Sequence, residues 1–184
     1  MTDVVVCDYG AGNTRSVRAT LARLGVTSTV SADPATITAA AFVILPGVGS
    51  ARSAMAHLTA SGADQAIRDR VGDDRPTLGI CLGMQLALEH SDEDGGTPLL
   101  GLVPGDVRQL RTERVPRIGW SLVEPWGQTF YFAHGYACSS PRTTATSDGV
   151  SAAIVQGSFV GVQFHPEKSG PAGAMWLERW LTGA

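Results

Sequence analysis

The sequence predicts an α/β fold: a mostly parallel central sheet with helices on both faces and antiparallel strands added at one end. Three observations lead to this prediction. Short apolar runs alternate with helical patterns through the first half of the chain, as in parallel sheets covered on both faces. In the second half, strand-like runs follow one another with little helix between them. No linker, repeat or low-complexity segment divides the chain, so we expect a single domain over residues 1–184.

The first half supplies the alternating elements. The β-branched run from Val4 to Cys7 ends at the glycine-rich DYGAGN, which predicts a buried strand followed by a turn. From Thr14 the apolar residues recur at helical spacing until Gly25, a residue type that often ends helices. Further strands are predicted at 26–30, 41–47 and 76–81, and further helices at 50–58 and 84–90.

The second half adds short strands and a terminal helix. We expect the strands to extend one end of the sheet in antiparallel fashion; they are predicted at 103–110, 115–123, 129–133, 152–155 and 159–163. The terminal helix, at 172–181, carries an apolar stripe that we interpret as core packing rather than a cofactor contact: Met175, Trp176, Leu177, Trp180 and Leu181.

Composition and charge exclude several classes of function. The chain is 43% hydrophobic and 17% charged, with a formal net charge of −3, which gives no electrostatic basis for binding nucleic acid or an anionic membrane. Its N-terminus lacks the basic region of a signal peptide, and no run reaches the roughly 20 apolar residues of a membrane span. The three cysteines, Cys7, Cys81 and Cys138, have neither disulfide nor zinc spacing. We therefore expect no metal site and a reducing, cytoplasmic location.

The stretch GICLGMQ contains the first candidate for chemistry. Cys81 follows a predicted strand and precedes a predicted helix, with Gly79 and Gly83 two residues to either side. This G-x-C-x-G pattern is the cysteine counterpart of the nucleophile elbow, in which a sharp turn exposes the reactive atom beside a helix N-terminus. The helix N-terminus favours a thiolate. Taken alone, the pattern leaves a nucleophile and a buried core thiol as open alternatives.

A nucleophilic cysteine needs a base and a group that orients the base, and GVQFHPEKSG offers both. A predicted strand ends at His165, Pro166 prevents its simple continuation, and Glu167 lies two residues further on. The rigid proline suits a carboxylate that holds the imidazole in one tautomer. On its own this segment also fits a loop histidine beside a surface acid. Combined with the elbow, it favours a Cys81–His165–Glu167 triad.

These two motifs, together with PGVGS at 46–50, resemble the class I (triad) glutamine amidotransferase family. Three further segments narrow the resemblance to the glutaminase subunits of imidazole glycerol phosphate synthase: DYGAGN, VPRIGW at 115–120 and FYFAHGY at 130–136. The matching segments run in the family's order from residue 4 to about residue 173. The resemblance implies hydrolysis of glutamine to glutamate and ammonia, without a cofactor, in histidine biosynthesis.

The resemblance also implies roles for individual residues. Cys81 would attack the glutamine amide, His165 would transfer the proton and Glu167 would orient His165. The backbone amides of Val48 and Leu82 would form the oxyanion hole. The predicted substrate-binding residues are Gly49, Gln85, Glu93, Gly135 and Tyr136, with Glu89 as an alternative to Glu93.

The implied partner is a cyclase subunit with a (β/α)₈ barrel, which forms a heterodimer with the glutaminase and receives the ammonia. Asn13, Trp120 and Lys168 would lie at that interface. The chain departs from the family at Arg117, Ser121 and Gly135, where histidine, asparagine and serine are usual. Arg117 and Ser121 bear on the choice of partner, whereas Gly135 is compatible with a backbone contact.

The sequence also fits three alternative functions. DYGAGNTR resembles a dinucleotide fingerprint, but Arg15 stands where the third glycine is needed for close packing of helix on sheet. A non-catalytic regulatory protein could use the same fold, since fold does not fix function. An amidotransferase subunit that supplies ammonia to a different synthase would keep the triad and change the partner.

Overall fold

The computed structural model describes residues 3–10, 13–112 and 114–183. Strands and helices alternate in its first half, as the sequence predicts. Within the described residues the α-helices are α1 (Thr14–Arg23), α2 (Pro34–Ala39), α3 (Ala51–Ser61), α4 (Ala63–Gly72), α5 (Leu82–Leu86) and α6 (Gly170–Thr182). The strands are β1 (Val4–Cys7), β2 (Ser28–Ser31), β3 (Phe42–Leu45), β4 (Thr77–Ile80), β5 (His90–Ser91), β6 (Thr97–Pro98), β7 (Asp106–Gln109), β8 (Arg117–Val123), β9 (Gln128–His134), β10 (Tyr136–Ser139), β11 (Thr143–Ser147), β12 (Val150–Gln156) and β13 (Phe159–Val162).

The central sheet has seven strands in the order β11-β12-β13-β4-β3-β1-β2. Its strands from β13 to β2 pair in parallel, and β12 and β11 extend one end in antiparallel fashion. This arrangement confirms the predicted fold class. Because Val162 pairs directly with Ile80, the chain segments that follow β13 and β4 leave the sheet side by side at the same edge. The topology thereby brings together the two motifs that the sequence singles out.

Each face of the central sheet has its own apolar core. One face packs against α1 and α6 through Val17, Leu21 and Leu177, all fully buried. The opposite face packs against helices that include α2 and α3, through Ile37 and Leu58. The predicted apolar stripe of the terminal helix contributes Trp176, Leu177 and Trp180 to the first core. Met175 was wrongly included in that stripe, because 47% of its surface is exposed.

Two smaller sheets lie beside the central one. Strands β10, β7, β5 and β6 form a four-stranded sheet, and β8 and β9 form an antiparallel pair. The expectation that the strands predicted at 103–110, 115–123 and 129–133 extend the central sheet is therefore wrong, because they correspond to β7, β8 and β9. The strand predicted at 159–163 does join the central sheet, as β13, but it pairs with β4 in parallel. Side chains of β8 alternate between half-buried and exposed positions up to Leu122, so one face of this pair lies open. On that face Trp120 is paired with Tyr131 of β9, and their rings meet edge to face at 6.0 Å.

The prediction of a helix over 84–90 is wrong in its second half. Helix α5 ends at Leu86, and His90 begins β5, which pairs with β7 in parallel. Backbone contacts with the β7 region explain the change, because the amide of Glu89 donates to Gly105 O at 3.0 Å and that of Asp92 to Val107 O at 2.9 Å. These tertiary partners override the helical propensity of the segment.

The sequence patterns do not predict six of the observed elements: α2, α4, β5, β6, β10 and β11. The start of α2 carries a readable signal: Pro34 opens the helix, and the carboxylate of Asp33 accepts from the amide of Thr36 at 2.8 Å. No helix in the described part of the chain has the length and apolarity that a bilayer span requires.

Gly173 of α6 tests the packing behind the His165 segment. A Cβ at Gly173 would lie 2.0 Å from the carbonyl oxygen of Pro166, whereas a Cβ at Gly72 of α4 would meet nothing within 4 Å. We expect Gly173→Ala to lower the free energy of unfolding by about 1–3 kcal/mol through overpacking. Gly72→Ala should be neutral or stabilising, since alanine has the higher helix propensity. Urea unfolding of both variants measures this, and equal effects would contradict the packing described.

Candidate active site

Cys81 occupies a strained turn between β4 and α5. Its backbone has φ 53° and ψ −107°, a region that residues other than glycine rarely adopt. The amide of Cys81 donates to Val162 O at 2.7 Å, which ties the turn to β13. The side chain is only 6% exposed and borders a small cavity. This is the geometry of a nucleophile elbow with a thiol at its tip.

Three glycines allow the backbone around Cys81 to pack this closely. A Cβ on Gly83 would lie 1.9 Å from Leu45 O, and one on Gly79 would lie 2.5 Å from Gly83 O. A Cβ on Gly47 would lie 2.4 Å from the Cβ of Leu82. Since the first two approaches are to backbone atoms, no side-chain movement could relieve the overlap. The two glycines of G-x-C-x-G and the first glycine of PGVG are therefore packing requirements.

His165 and Glu167 form a buried pair next to Cys81. The Nδ1–H of His165 donates to Oε1 of Glu167 at 2.8 Å, so Nε2 is the ring nitrogen left for the thiol. The same carboxylate oxygen accepts from the side-chain amide of Asn13 at 3.2 Å. The relative exposure of the side chains is 2% for His165 and 1% for Glu167. The pair is held in a single orientation.

Backbone contacts with β9 fix the segment that carries this pair. The amide of His165 donates to Tyr131 O at 2.8 Å, and the amide of Tyr131 donates to the hydroxyl of Ser169 at 2.9 Å. The Ser169 hydroxyl in turn donates to His165 O at 2.7 Å. Ser169 was not predicted as a functional residue, although it lies within the GVQFHPEKSG segment.

The electrostatic environment favours a protonated His165. Burial opposes protonation, but hydrogen bonding and charge interaction with Cys81 and Glu167 outweigh it and raise the pKa of His165 to about 9. A histidine that is protonated at neutral pH stabilises an adjacent thiolate, and it has a proton to give to a leaving group.

The cavity beside Cys81 contains the predicted oxyanion and substrate-binding residues. Its volume is about 160 Å³, below the roughly 300–1,000 Å³ of sites for drug-sized ligands, which suits a molecule as small as an amino acid. The lining residues include Val48, Leu82, Gly49, Gln85, Glu93, Gly135 and Tyr136. A larger cleft of about 680 Å³ also reaches Tyr136, but no triad residue lines it. The structure thus brings the predicted residues together, and their individual roles stay predictions.

The two glutamates proposed as alternatives lie in different surroundings. Glu93 lines the cavity, and its Oε2 accepts from the amide of Ala51, the first residue of α3, at 2.7 Å. Glu89 accepts from the amide of Gly105 at 2.9 Å and is absent from the cavity lining. Position therefore favours Glu93 as the group that meets a ligand in this cavity.

Tyr9 holds the start of the PGVG loop and was not singled out from the sequence. Its hydroxyl donates to the carbonyl oxygen of Pro46, directly before Gly47 and Val48. Burial, together with the nearby thiols of Cys7 and Cys81, raises the pKa of Tyr9, so the hydroxyl keeps its proton. The loop is thus anchored at its first residue, while the side chain of Val48 is 40% exposed.

His134 is a second buried histidine that lines the cavity, and it is not among the site residues predicted from the sequence. Its Nδ1–H donates to Tyr136 O at 2.8 Å, while the buried Nε2 has no protein partner. Burial lowers the pKa of His134 to about 4, and the charges of Arg117 and His165 act in the same direction. His134 is therefore neutral at physiological pH, in contrast to His165.

The residues expected at a partner interface lie around this site. Trp120 is 57% exposed on the open face of β8, and Lys168 is exposed beside Glu167. Asn13 is half-buried and contacts Glu167 directly, so it joins the start of α1 to the triad. Ala11 and Gly12 of DYGAGN lie outside the described residues. Among the residues that are described, no group of three or more metal-ligating side chains is assembled.

Comparison with known proteins identifies the family. Residues 5–184 match the family described as "Glutamine amidotransferase class-I". The chain belongs to this family. It is also 42% identical to a protein of Symbiobacterium thermophilum named "Imidazole glycerol phosphate synthase subunit HisH", over 98% of this chain and 93% of that protein. A protein of the same name from Xylella fastidiosa is 45% identical, with 98% of each chain covered.

A solved structure supports the fold independently. The chain superposes on a structure titled "Crystal structure of glutamine amidotransferase" with a TM-score of 0.79, at 20% identity, covering 98% of this chain and 99% of that one. The family resemblance and the fold class predicted from the sequence are thus both confirmed.

The neutral state of His134 makes stability depend on pH. The unfolded chain binds a proton near pH 6.5, whereas folded His134 does so only near pH 4. As the pH falls from 6.5 to 4, the unfolded state gains protons first, so His134 should remove roughly 2–3 kcal/mol from the free energy of unfolding. His134→Gln should flatten this slope in urea titrations, and His57→Gln, at an exposed position on α3, should leave it unchanged. Equal slopes in wild type and His134→Gln would contradict the burial argument.

Proposed function

We propose that this chain is the glutaminase subunit of imidazole glycerol phosphate synthase and that it hydrolyses glutamine through Cys81, His165 and Glu167. The observation that carries the proposal is the assembly of a strained cysteine turn, a buried imidazole–carboxylate pair and a small cavity at one sheet edge. Family membership and full-length similarity to HisH proteins support it. Free buried cysteines, one of them the proposed nucleophile, fit a reducing cytoplasm.

In the first half of the reaction, the Cys81 thiolate attacks the carbon of the glutamine side-chain amide. The carbonyl oxygen becomes an oxyanion, which the amides of Leu82 and Val48 stabilise as hydrogen-bond donors. Protonated His165 gives its proton to the amide nitrogen, the carbon–nitrogen bond breaks, and ammonia leaves. A glutamyl thioester remains on Cys81.

In the second half, a water molecule takes the place of ammonia. Now neutral, His165 removes a proton from this water as it attacks the thioester carbon. The carbon–sulfur bond breaks, glutamate leaves and the thiolate returns beside a protonated His165. Glu167 keeps Nε2 directed at the reacting atoms throughout, because Nδ1 remains bound to its carboxylate.

The cavity supports glutamine as the substrate. The carboxylate of Glu93 suits an α-ammonium group, while Gly49, Gln85 and the backbone at Gly135 and Tyr136 surround the rest of the molecule. A Cβ at Gly135 would meet Val115 only at an ordinary distance of 3.5 Å. The absence of the family's usual serine there leaves backbone contacts available to the substrate.

An exposed apolar face on β8 supports a protein partner, which we propose is the (β/α)₈-barrel cyclase that receives the ammonia. Ile118, Trp120 and Leu122 alternate along the strand and are 65%, 57% and 49% exposed. Contiguous apolar surface of this kind marks interaction sites. The face begins close to the active site, because Tyr131, opposite Trp120, bonds the backbone of His165.

The two departures from the family in β8 leave this face intact. Arg117 and Ser121 are half-buried and lie on the other face of β8. They alternate along the strand with the exposed residues Ile118, Trp120 and Leu122. Arg117 lies over the ring of Phe132 at 4.4 Å and hydrogen-bonds the Ser147 hydroxyl at 2.7 Å. Since the Arg117 side chain is satisfied within the chain, it gives no reason to propose a different synthase as partner. The assembled triad argues equally against a purely regulatory protein.

Replacing the nucleophile tests the reaction. With the cyclase subunit and its ligand present, Cys81→Ala should lower glutamate release by at least about 1,000-fold, because no thioester can form. The matched control is Cys138→Ala, a buried cysteine whose thiol pKa is raised by burial, and it should keep near wild-type activity. Circular dichroism checks that both variants fold. A Cys81→Ala variant with wild-type turnover would refute the assignment.

Replacing a residue of the exposed β8 face tests the partner. The isolated chain should release glutamate slowly, and the cyclase subunit should accelerate the release because docking sets the PGVG loop. Ile118→Asp should weaken the acceleration at least about fivefold at limiting cyclase, as expected for a central interface residue. Met175→Asp, at a similarly exposed position on α6, should have no effect. The partner proposal fails if the isolated chain is already fully active or if both variants behave alike.

A further inference from the structure

We propose that Gln163 is a further catalytic residue, which donates a hydrogen bond to the Cys81 sulfur and thereby favours its thiolate form. Its Nε2 lies 3.5 Å from Sγ of Cys81, and its side chain is fully buried. The residue follows β13, two positions before His165, so it reaches the sulfur from the same chain segment as the proposed base. The inference rests on the proposed function, since it assumes that Cys81 is the nucleophile.

The orientation of the Gln163 amide follows from its neighbours. Gln85 Nε2 donates to the backbone oxygen of Tyr136 at 2.9 Å, and this oxygen can only accept. The same Nε2 lies 3.0 Å from Oε1 of Gln163. Because Gln85 presents a donor there, Gln163 must present its oxygen to Gln85 and its nitrogen to the sulfur. The backbone carbonyl of Tyr136 thus sets the direction of both following hydrogen bonds, from Gln85 to Gln163 and from Gln163 to the Cys81 sulfur.

These hydrogen bonds form a relay that links the Cys81 sulfur to the turn at Gly135 and Tyr136. It runs from Tyr136 O through the amides of Gln85 and Gln163 to Cys81 Sγ. His134 also donates to Tyr136 O, at 2.8 Å, so both acceptor sites of that oxygen are occupied and the carbonyl is held in place. A buried amide held in this way cannot rotate to offer its oxygen to the sulfur.

A fixed N–H donor acts differently on the two forms of the sulfur. Hydrogen bonds to an ionised acceptor are about twice as strong as those between neutral groups. Gln163 therefore stabilises the thiolate more than the thiol, and it does so without a charge of its own. His165 approaches the sulfur with a positive charge, so the two groups act on it together.

The other titratable groups near Cys81 do not mask the effect of Gln163 on the thiolate. Tyr9 and Cys138 both interact with Cys81, and burial raises the pKa of each, so both stay neutral at pH 7. His165 titrates near pH 9 under the influence of Cys81 and Glu167. A comparison of wild type with a Gln163 variant holds these groups constant.

The test is the pH dependence of Cys81 alkylation by iodoacetamide, followed by peptide mass mapping. In Gln163→Met, which keeps the size of the side chain and removes the donor, the ratio of the rate at pH 7 to that at pH 10 should fall about tenfold. The ratio cancels changes in access. A mere packing role would change the stability and leave the ratio as in wild type, and that result would overturn the proposal.

A matched variant and a kinetic measurement sharpen the test. Gln156→Met, on β12, should leave the alkylation ratio unchanged, and a fall there equal to that in Gln163→Met would also count against the proposal. In the complex with the cyclase subunit, Gln163→Met should lower kcat about tenfold and change KM less than twofold. If Cys81→Ala stays active, the proposed function fails. If only the alkylation ratio of Gln163→Met is unchanged, Gln163 alone is misassigned.

A measurement on the wild-type chain covers the case in which Gln163→Met does not fold. The side-chain amide protons of Gln163, in protein labelled with ¹⁵N-glutamine, should shift with the same pH midpoint as the thiolate absorbance of Cys81. The shift should vanish in Cys81→Ala. Resonances that do not respond while the thiolate forms would overturn the proposal.

Discussion

The turn at Cys81 adopts φ 53° and ψ −107°, which costs a non-glycine residue about 1–3 kcal/mol. The surrounding packing maintains it, because Gly83 lies directly against the carbonyl of Leu45 and Gly79 against that of Gly83. Both contacts are between backbones, so the strain cannot relax through side-chain movement. The remaining features of the site depend on this turn: it brings the sulfur to the cavity and places Leu82 at the first position of α5.

Three chain segments converge on the sulfur, and contacts outside the cavity fix two of them. Hydrogen bonds of His165 and Ser169 with the backbone of Tyr131 fix the His165 segment to β9. The PGVG loop is anchored at Pro46 by Tyr9, which leaves its exposed Val48 as the part able to respond to a partner. The turn at Gly135 and Tyr136 is linked to the sulfur through Gln85 and Gln163. We infer that the thiol is prepared by fixed groups, and that one loop decides when the oxyanion hole is complete.

Much of the site could be predicted because its signals are local in sequence. The glycines around Cys81 and the proline after His165 have meaning within a few residues, and the parallel alternation of strands and helices predicts that strand ends share one edge. Gln163 could not be assigned, since its partner Cys81 is 82 residues away and only the register of β13 on β4 joins them. His90 and the missed strand β10 depend likewise on partners distant in sequence, since both pair with β7. Met175 was misplaced because helical periodicity does not reveal which positions lie beyond the edge of the core.

The most direct test of the central claim is to trap the intermediate. The complex with the cyclase subunit is mixed with glutamine, quenched in acid within the first turnovers, digested and examined by mass spectrometry. We expect a glutamyl thioester on the peptide that contains Cys81 and none on those with Cys7 or Cys138. Glutamate release with no adduct, or with the adduct on another cysteine, would contradict the claim that the strained turn presents the nucleophile.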